Sequence, residues 1–237
     1  MDQRKEKILL TIIKEHIKTG VPVGSTGLVE KYDLGVSSAT IRNEMADLEE
    51  DGYIMQPHTS AGRIPTEKAY DFFLEDLKPK KVSDNIVSLL KELLREKEEA
   101  DFKKVAKALS EMTNSAVFWA FHKHNLYYTG ISNLFKQPEF LSINSKMPTD
   151  RNYELIYDIS SVIDRMEDII DDIFEKINEG ENIWLGSKNP FGNFCGSIVI
   201  KYKLKDRVGV FGLLGPMRMD YEKNIAIMRH IEKLINS

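Results

Sequence analysis

VSSATIRNEMADLEEDGYIMQPHTSAGRIPT, residues 36–66, decides how the chain is read. Ser37 suits an N-cap, because its hydroxyl can accept a hydrogen bond from a free amide of a helix's first turn. Val36 and Ile41 then fall at the positions of a hydrophobic staple. Ile41, Met45 and Leu48 repeat at helical spacing and mark one buried face. Ser38, Thr40, Arg42 and Asn43 occupy the rest of the first turns, and all four can reach phosphates or base edges. Gly52 stands where a helix C′ residue would. Tyr53, Ile54 and Met55 follow as a short strand, and QPHTSAGRIPT (56–66) is dense in turn formers and predicts a hairpin tip. This is the layout of a DNA recognition helix followed by a wing.

Charge follows the same plan. Residues 34–43 and 52–66 hold no Asp or Glu, whereas Asp47, Glu49, Glu50 and Asp51 crowd the far end of the helix. A phosphate backbone repels carboxylates, so a helix entering a groove by its N-terminus keeps its acids behind. A solvated helix with a capped start gives the same pattern, and helix-turn-helix shapes occur in proteins that bind no DNA. The net charge is −4, and residues 1–81 carry 12 Lys plus Arg against 14 Asp plus Glu. Binding must then come from a local patch and from dimerisation, which predicts weak nonspecific affinity and strong dependence on the right operator.

Working outward, residues 3–19 form an amphipathic helix with Ile8, Ile12 and His16 on one stripe and Leu9, Ile13 and Ile17 beside it, stopped by Gly20. Ser25 is expected to cap a second helix through Tyr32, and 33–36 form the turn into the third. Thr66 caps a fourth helix through Leu77, with the stripe Tyr70, Phe73, Leu74 and Leu77. KPKKVSDN (78–85) is a polar linker and the expected domain boundary. Helical stretches at 86–99 and 101–114 carry apolar stripes that suit a core or a partner helix. The remainder mixes strands at AVFWAF (116–121), LYYTG (126–130), 182–187, 194–204 and 207–213 with a long helix over 153–178 and a last one over 221–235. The fold class is α+β, with domains at 1–78 and 115–237 and a helical linker at 79–114.

At 237 residues and 42% hydrophobic content, the chain has one or two domains and ample material for a core. No apolar run reaches membrane-spanning length, and the opening MDQRKEK lacks the apolar core of a signal peptide, so a cytoplasmic protein with no membrane partner is expected. Cys195, the single cysteine, has no internal disulfide partner and reads as a packed thiol in a reducing compartment. No enzyme motif emerges. GVFGLLGP (209–216) lacks the Gly-Lys-Ser/Thr ending of a phosphate loop. His122 and His124 share a strand face without a Cys or carboxylate to complete a metal site. Arg218 and Asp220 read as anchors of the last helix. No catalysis, cofactor or metal is expected.

VGS (23–25), LVEKYDLGVSSATIRNEMADLEEDGYI (28–54) and QPHTSAGRIPTEKAY (56–70) closely resemble the N-terminal winged-helix domain of the heat-inducible transcription repressor HrcA family. GLLGPMRMDYEKNIAIM (212–228) and, more weakly, GISNLFKQPEF (130–140) resemble it in the same order. The resemblance implies a winged helix-turn-helix, a GAF-like second domain and an inserted segment linked to dimerisation, here reduced to about 142–181. It implies a homodimeric repressor on an inverted-repeat operator in double-stranded DNA upstream of chaperone genes. It also implies a chaperonin that keeps the repressor active until heat diverts it to unfolded clients. The chain departs from the family in being shorter, with the loss placed between the 101–114 helix and Gly130. It also has Thr26 and Gly27 where the family usually has a basic residue and Thr, which predicts a weaker phosphate contact or an altered operator preference.

Candidate roles follow from residue chemistry. Arg42 can bond guanine bidentately and Asn43 adenine, with a phosphate clamp as the alternative for Arg42. Ser38 and Thr40 suit phosphates at the helix N-terminus. Ser25, Thr26 and Ser37 join them, and Ser25 also suits a plain cap. His58, Thr59, Ser60 and Arg63 belong to the wing, where Arg63 can enter the minor groove or clamp a phosphate. The alternative function is a regulator whose GAF-like domain senses a small ligand, which requires a lined pocket.

Overall fold

Helix α1, Gln3–Thr19, starts where the Asp2 side chain accepts the Lys5 amide and ends at Gly20. The computed structural model describes residues 1–58, 61–122, 124–137 and 150–237. The chain divides into two compact units, Met1–Leu77 and Lys78–Ser237.

In the first unit, α1 buries Ile8, Leu9, Ile12 and Ile13 together with Glu15 and His16. The two polar groups are ties. His16 Nδ1 lies 2.8 Å from the Tyr70 hydroxyl. Glu15 accepts from the Lys31 ammonium and, at 2.6 Å, from the Tyr32 hydroxyl, and Lys31 foremost holds its carboxyl below the usual range. Helix α2 spans Ser25–Lys31, and its N-cap is Gly24, one residue earlier than expected. The reason is local: Gly24 is extended, and its carbonyl already accepts the Leu28 amide. Ser25 is thus the first helical residue and not a cap.

Helix α3, Ser38–Glu50, begins as its sequence predicts, with Ser37 Oγ accepting the Thr40 amide at 3.2 Å. It buries Ile41, Met45 and Leu48, and Glu44 with them. Gly52 adopts φ 76°, the left-handed conformation that glycine takes without strain. Its amide bonds the Glu49 carbonyl and the Tyr53 amide bonds Leu48, which closes the helix as a Schellman motif. Strands β1 (Ile54–Met55) and β2 (Ile64–Pro65) pair antiparallel over two residue pairs, and Val23 bridges Arg63. Helix α4, Glu67–Glu75, stops short of the expected Leu77. Thr66 sits at its N-cap, but the hydroxyl donates to the Gly52 and Tyr53 carbonyls (2.7 and 3.0 Å) and does not cap the helix.

The second unit is a five-stranded antiparallel sheet, ordered β4-β3-β7-β6-β5, with helices on both faces. Its elements are α5 (Asp84–Leu93), α6 (Glu99–Thr113), β3 (Ala116–His122), β4 (Asn125–Thr129) and α7 (Ile131–Phe135). They continue as α8 (Asp150–Asp164), α9 (Met166–Lys176), β5 (Gly180–Leu185), β6 (Cys195–Leu204), β7 (Arg207–Pro216) and α10 (Tyr221–Asn236). Strand alternation sends Phe118, Val199, Val210 and Leu214 toward Ile159, Val162, Ile170 and Ile173 of α8 and α9. The opposite set includes Trp119, Tyr202 and Phe211, and Phe102 of α6 stacks on Trp119 at 5.1 Å. The helices expected as a free linker are therefore part of this unit. Leu90 and Leu94 of the α5 stretch are buried within it, whereas Ile86 and Leu93 of the same stripe are half-buried.

Two further expectations change. The single helix over 153–178 is two, broken at Arg165, where the Ser161 carbonyl takes both the Arg165 amide (3.2 Å) and its Nε (3.3 Å). His124 lies in the β3–β4 turn at φ 65°, not on a strand face with His122, and its Nδ1 is 2.9 Å from Asp171. The glycines of GVFGLLGP make room for rings: a Cβ on Gly209 or Gly212 would fall 2.2 Å from Tyr202 or 2.5 Å from Phe118.

Burial pushes the Cys195 thiol and the Tyr202 phenol each up to about 12. Both are neutral in the fold, while the unfolded chain ionises near its ordinary values. Their contribution is whole below those values and drains away as pH rises toward 12, by about 1.4 kcal/mol per pH unit for each group. Urea midpoints measured from pH 8 to 11 are expected to fall, and Tyr202→Phe to flatten the fall above pH 10.

Candidate nucleic-acid interface

The exposed stripe of α3 lies opposite its core face. Ala39, Arg42, Asn43 and Ala46 are all exposed and stand at helical spacing, so they form one ridge. The two alanines leave the longer side chains room to project. Sequence reasoning named Arg42 and Asn43 and missed the alanines, although their three- and four-residue offsets from the named pair are visible in the chain.

Beside this ridge, the N-termini of α2 and α3 meet. Ser38 Oγ donates to Ser25 Oγ at 3.2 Å, with both residues half-buried and Thr26 exposed next to them. Gly24 caps α2 without a side chain, so first-turn amides of α2 lack a side-chain acceptor. Ser37 and Thr40 are occupied with each other, through the cap and a 3.0 Å hydroxyl contact. Gly27 has nothing within 4 Å of where a Cβ would sit among the described residues, so packing gives no reason for a glycine there.

The charges of the unit are distributed unevenly. Arg4 reaches Glu44 (2.6 Å), Lys5 reaches Asp47 (3.0 Å), Lys31 reaches Glu15 and Arg63 reaches Glu49 (2.8 Å). Lys68 donates to the Asp51 carbonyl at 2.7 Å. Three acids of α3 are thereby paired from α1 and from the hairpin, which sequence reading did not foresee because the partners lie far away in the chain. Among the described residues, Arg42 carries no such partner. Its guanidinium stands exposed at the front of α3.

The hairpin tip places His58 in solvent, with its carbonyl accepting the Ala61 amide at 2.9 Å. Thr59 and Ser60 lie outside the described residues. Arg63 does not project from the tip. Its Nε donates to Glu49 at 2.8 Å, and its backbone exchanges two 2.8 Å bonds with Val23.

A family model described as the HrcA protein C terminal domain matches residues 37–225. The chain belongs to the HrcA family. A heat-inducible transcription repressor HrcA from Caldanaerobacter subterraneus subsp. tengcongensis is 27% identical over 346 residues, covering 100% of this chain and 98% of that protein. That alignment is much longer than the 237 residues of this chain, so a long part of the relative has no counterpart here. The HrcA repressor of Acetivibrio thermocellus is 60% identical over 77 residues, which is 32% of this chain and 22% of that one. Among solved structures, a crystal structure described only as a hypothetical protein superposes with a TM-score of 0.70. It is 18% identical, covers 99% of this chain and 96% of that chain, and speaks for the fold alone.

Proposed function

We propose that this protein is a heat-inducible transcription repressor that binds an inverted-repeat operator in double-stranded DNA as a homodimer. Family membership supports the repressor reading, and the named relatives carry that description. In this reading Met1–Leu77 is a winged helix-turn-helix, α3 enters the major groove by its N-terminal half, and the hairpin is the wing. The observation that carries it is the α3 ridge: an exposed Arg42, without a partner among the described residues, beside Asn43, with Glu44, Asp47 and Glu49 paired. Arginine and asparagine are the side chains that read guanine and adenine bidentately. Ser25, Thr26 and Ser38 take a phosphate where the two helix N-termini meet, because free amides and the helix dipole both favour an anion. One α3 reads too few base pairs for a selective operator, so a dimer is required.

Release on heating runs through a chaperonin that keeps the protein active and is drawn away by unfolded clients. A shift of about 1–2 kcal/mol in stability is enough to change functional abundance several-fold. The ligand-sensor alternative, with Lys78–Ser237 as a GAF-like sensor, draws little support. A cavity between α7, α8 and the sheet holds about 10 Å³ and is lined by apolar side chains such as Ile131, Leu134, Val162 and Phe191. No described helix is long and apolar enough to cross a membrane.

The test is fluorescence anisotropy of the full chain against the inverted-repeat duplex, a half-site and a scrambled duplex, over a salt series and with or without chaperonin. Repeat-dependent binding with a steep salt slope is the expected result. Equal weak binding to all three duplexes, with chaperonin as well, would overturn the reading.

A further inference from the structure

The hairpin that carries the tip is held by two residue pairs, Ile54↔Pro65 and Met55↔Ile64. A ribbon that short does not hold a direction by itself. The placement of 56–58 and 61–63 against α3 must be set from outside the hairpin, and one carboxylate does so at both ends. Glu49 Oε1 accepts the Gln56 amide at 3.1 Å, where the chain leaves β1. Glu49 Oε2 lies 2.8 Å from both Nε and Nη2 of Arg63, where the chain enters β2. The Gln56 side chain crosses the loop to the Ala61 carbonyl at 3.0 Å. On the other side, Gly62 is packed so closely that a Cβ would fall 2.5 Å from the Val23 backbone.

We propose that Glu49 is a positioning residue that aims the hairpin tip, and that Arg63 is its strut and takes no phosphate. The inference rests on the DNA-reading role proposed above and narrows it. Glu49 follows Ser38 by 11 residues, about 16 Å along the helix axis, so it stands well behind the reading end and acts only through the hairpin. The Arg63 side chain is 22% exposed and already bonded along its fork, so a phosphate would have to break that arrangement.

The test uses the full chain with Glu49→Gln, Arg63→Gln and both together, titrated with the inverted-repeat duplex over a salt series. Hydrogen exchange at the Gln56 and α3 amides is followed without DNA in the wild type and in Glu49→Ala. Each single glutamine variant is expected to weaken operator binding by roughly three- to thirtyfold, with the double no weaker than the worse single. The slope of log affinity against log salt stays that of the wild type, and Arg63→Lys, which keeps one cation on Glu49, recovers part of the loss. Exchange at Gln56 rises in Glu49→Ala while the α3 amides keep their protection. Additive losses, with a slope reduced by about one for each Arg63 removed, would make Arg63 a phosphate contact and overturn the proposal. Unchanged exchange at Gln56 would overturn it as well. If the wild type showed no preference for the repeat while Gln56 still responded, the DNA-reading role would fall and the strut would stand.

Discussion

Arg42→Ala is expected to abolish selective operator binding while leaving the fold intact. A bidentate arginine–guanine contact contributes about 1–3 kcal/mol of discrimination. A dimer engaging both half-sites loses that twice, so the affinity falls by roughly one and a half to four orders of magnitude. Stability should not follow, because the side chain is exposed and has no partner among the described residues, and such surface substitutions stay within about 0.5 kcal/mol. The two roles open to Arg42 separate in one titration. A base reader, once removed, leaves the salt slope nearly unchanged and relaxes preference at one position of each half-site. A phosphate clamp, once removed, weakens all duplexes alike and lowers the slope by about one per arginine. An affinity within twofold of the wild type would place the reading surface elsewhere than on the α3 ridge.

What the sequence made legible here was local. Ser37, Gly52 and the stripe Ile41, Met45, Leu48 act through neighbours within one or two turns, and α3 starts and ends as they predict. The sheet strands also fall near their expected places, because alternation along a strand is a local pattern too. Several departures are tertiary, whereas the cap of α2 at Gly24 and the break at Arg165 arise locally. Arg63 read as a minor-groove or phosphate contact, and its bond to Glu49 was not visible because that residue lies 14 positions away on another element. The pairing of the α3 acids was not visible because Arg4 and Lys5 come from α1. Helices α5 and α6 looked like a linker because polar residues flank them, yet Phe102 finds Trp119 across the sheet face. The break at Arg165 carries no proline or glycine to announce it, and a carbonyl shared between backbone and side chain marks it only in three dimensions.

Trp119 sits among the aromatic rings of the second unit. The residue is fully buried on β3, its ring centroid 4.5 Å from Phe211 and 5.1 Å from Phe102, and its Nε1 donates to the Tyr202 hydroxyl at 2.9 Å. Trp119→Ala removes the stacking and leaves a hole among rings from α6, β6 and β7, at an expected cost of about 3–5 kcal/mol. That is a large part of the roughly 5–15 kcal/mol by which a domain is usually stable. Trp119→Phe keeps one ring in the stack but loses the second ring of the indole and the hydrogen bond to a buried phenol, at a smaller expected cost of about 1–3 kcal/mol. Urea unfolding followed by circular dichroism should therefore rank the wild type above Phe and Phe above Ala, and a loss under 1 kcal/mol for Ala would show that these rings do not form the core of this face. In cells, repression should fall in the same order although no residue of the α3 ridge has changed, because a loss of even about 1–2 kcal/mol alters the abundance of active protein several-fold. Added chaperonin should restore repression by Trp119→Phe more fully than by Trp119→Ala, since assistance recovers a chain whose native state is still favoured and cannot create one that is not.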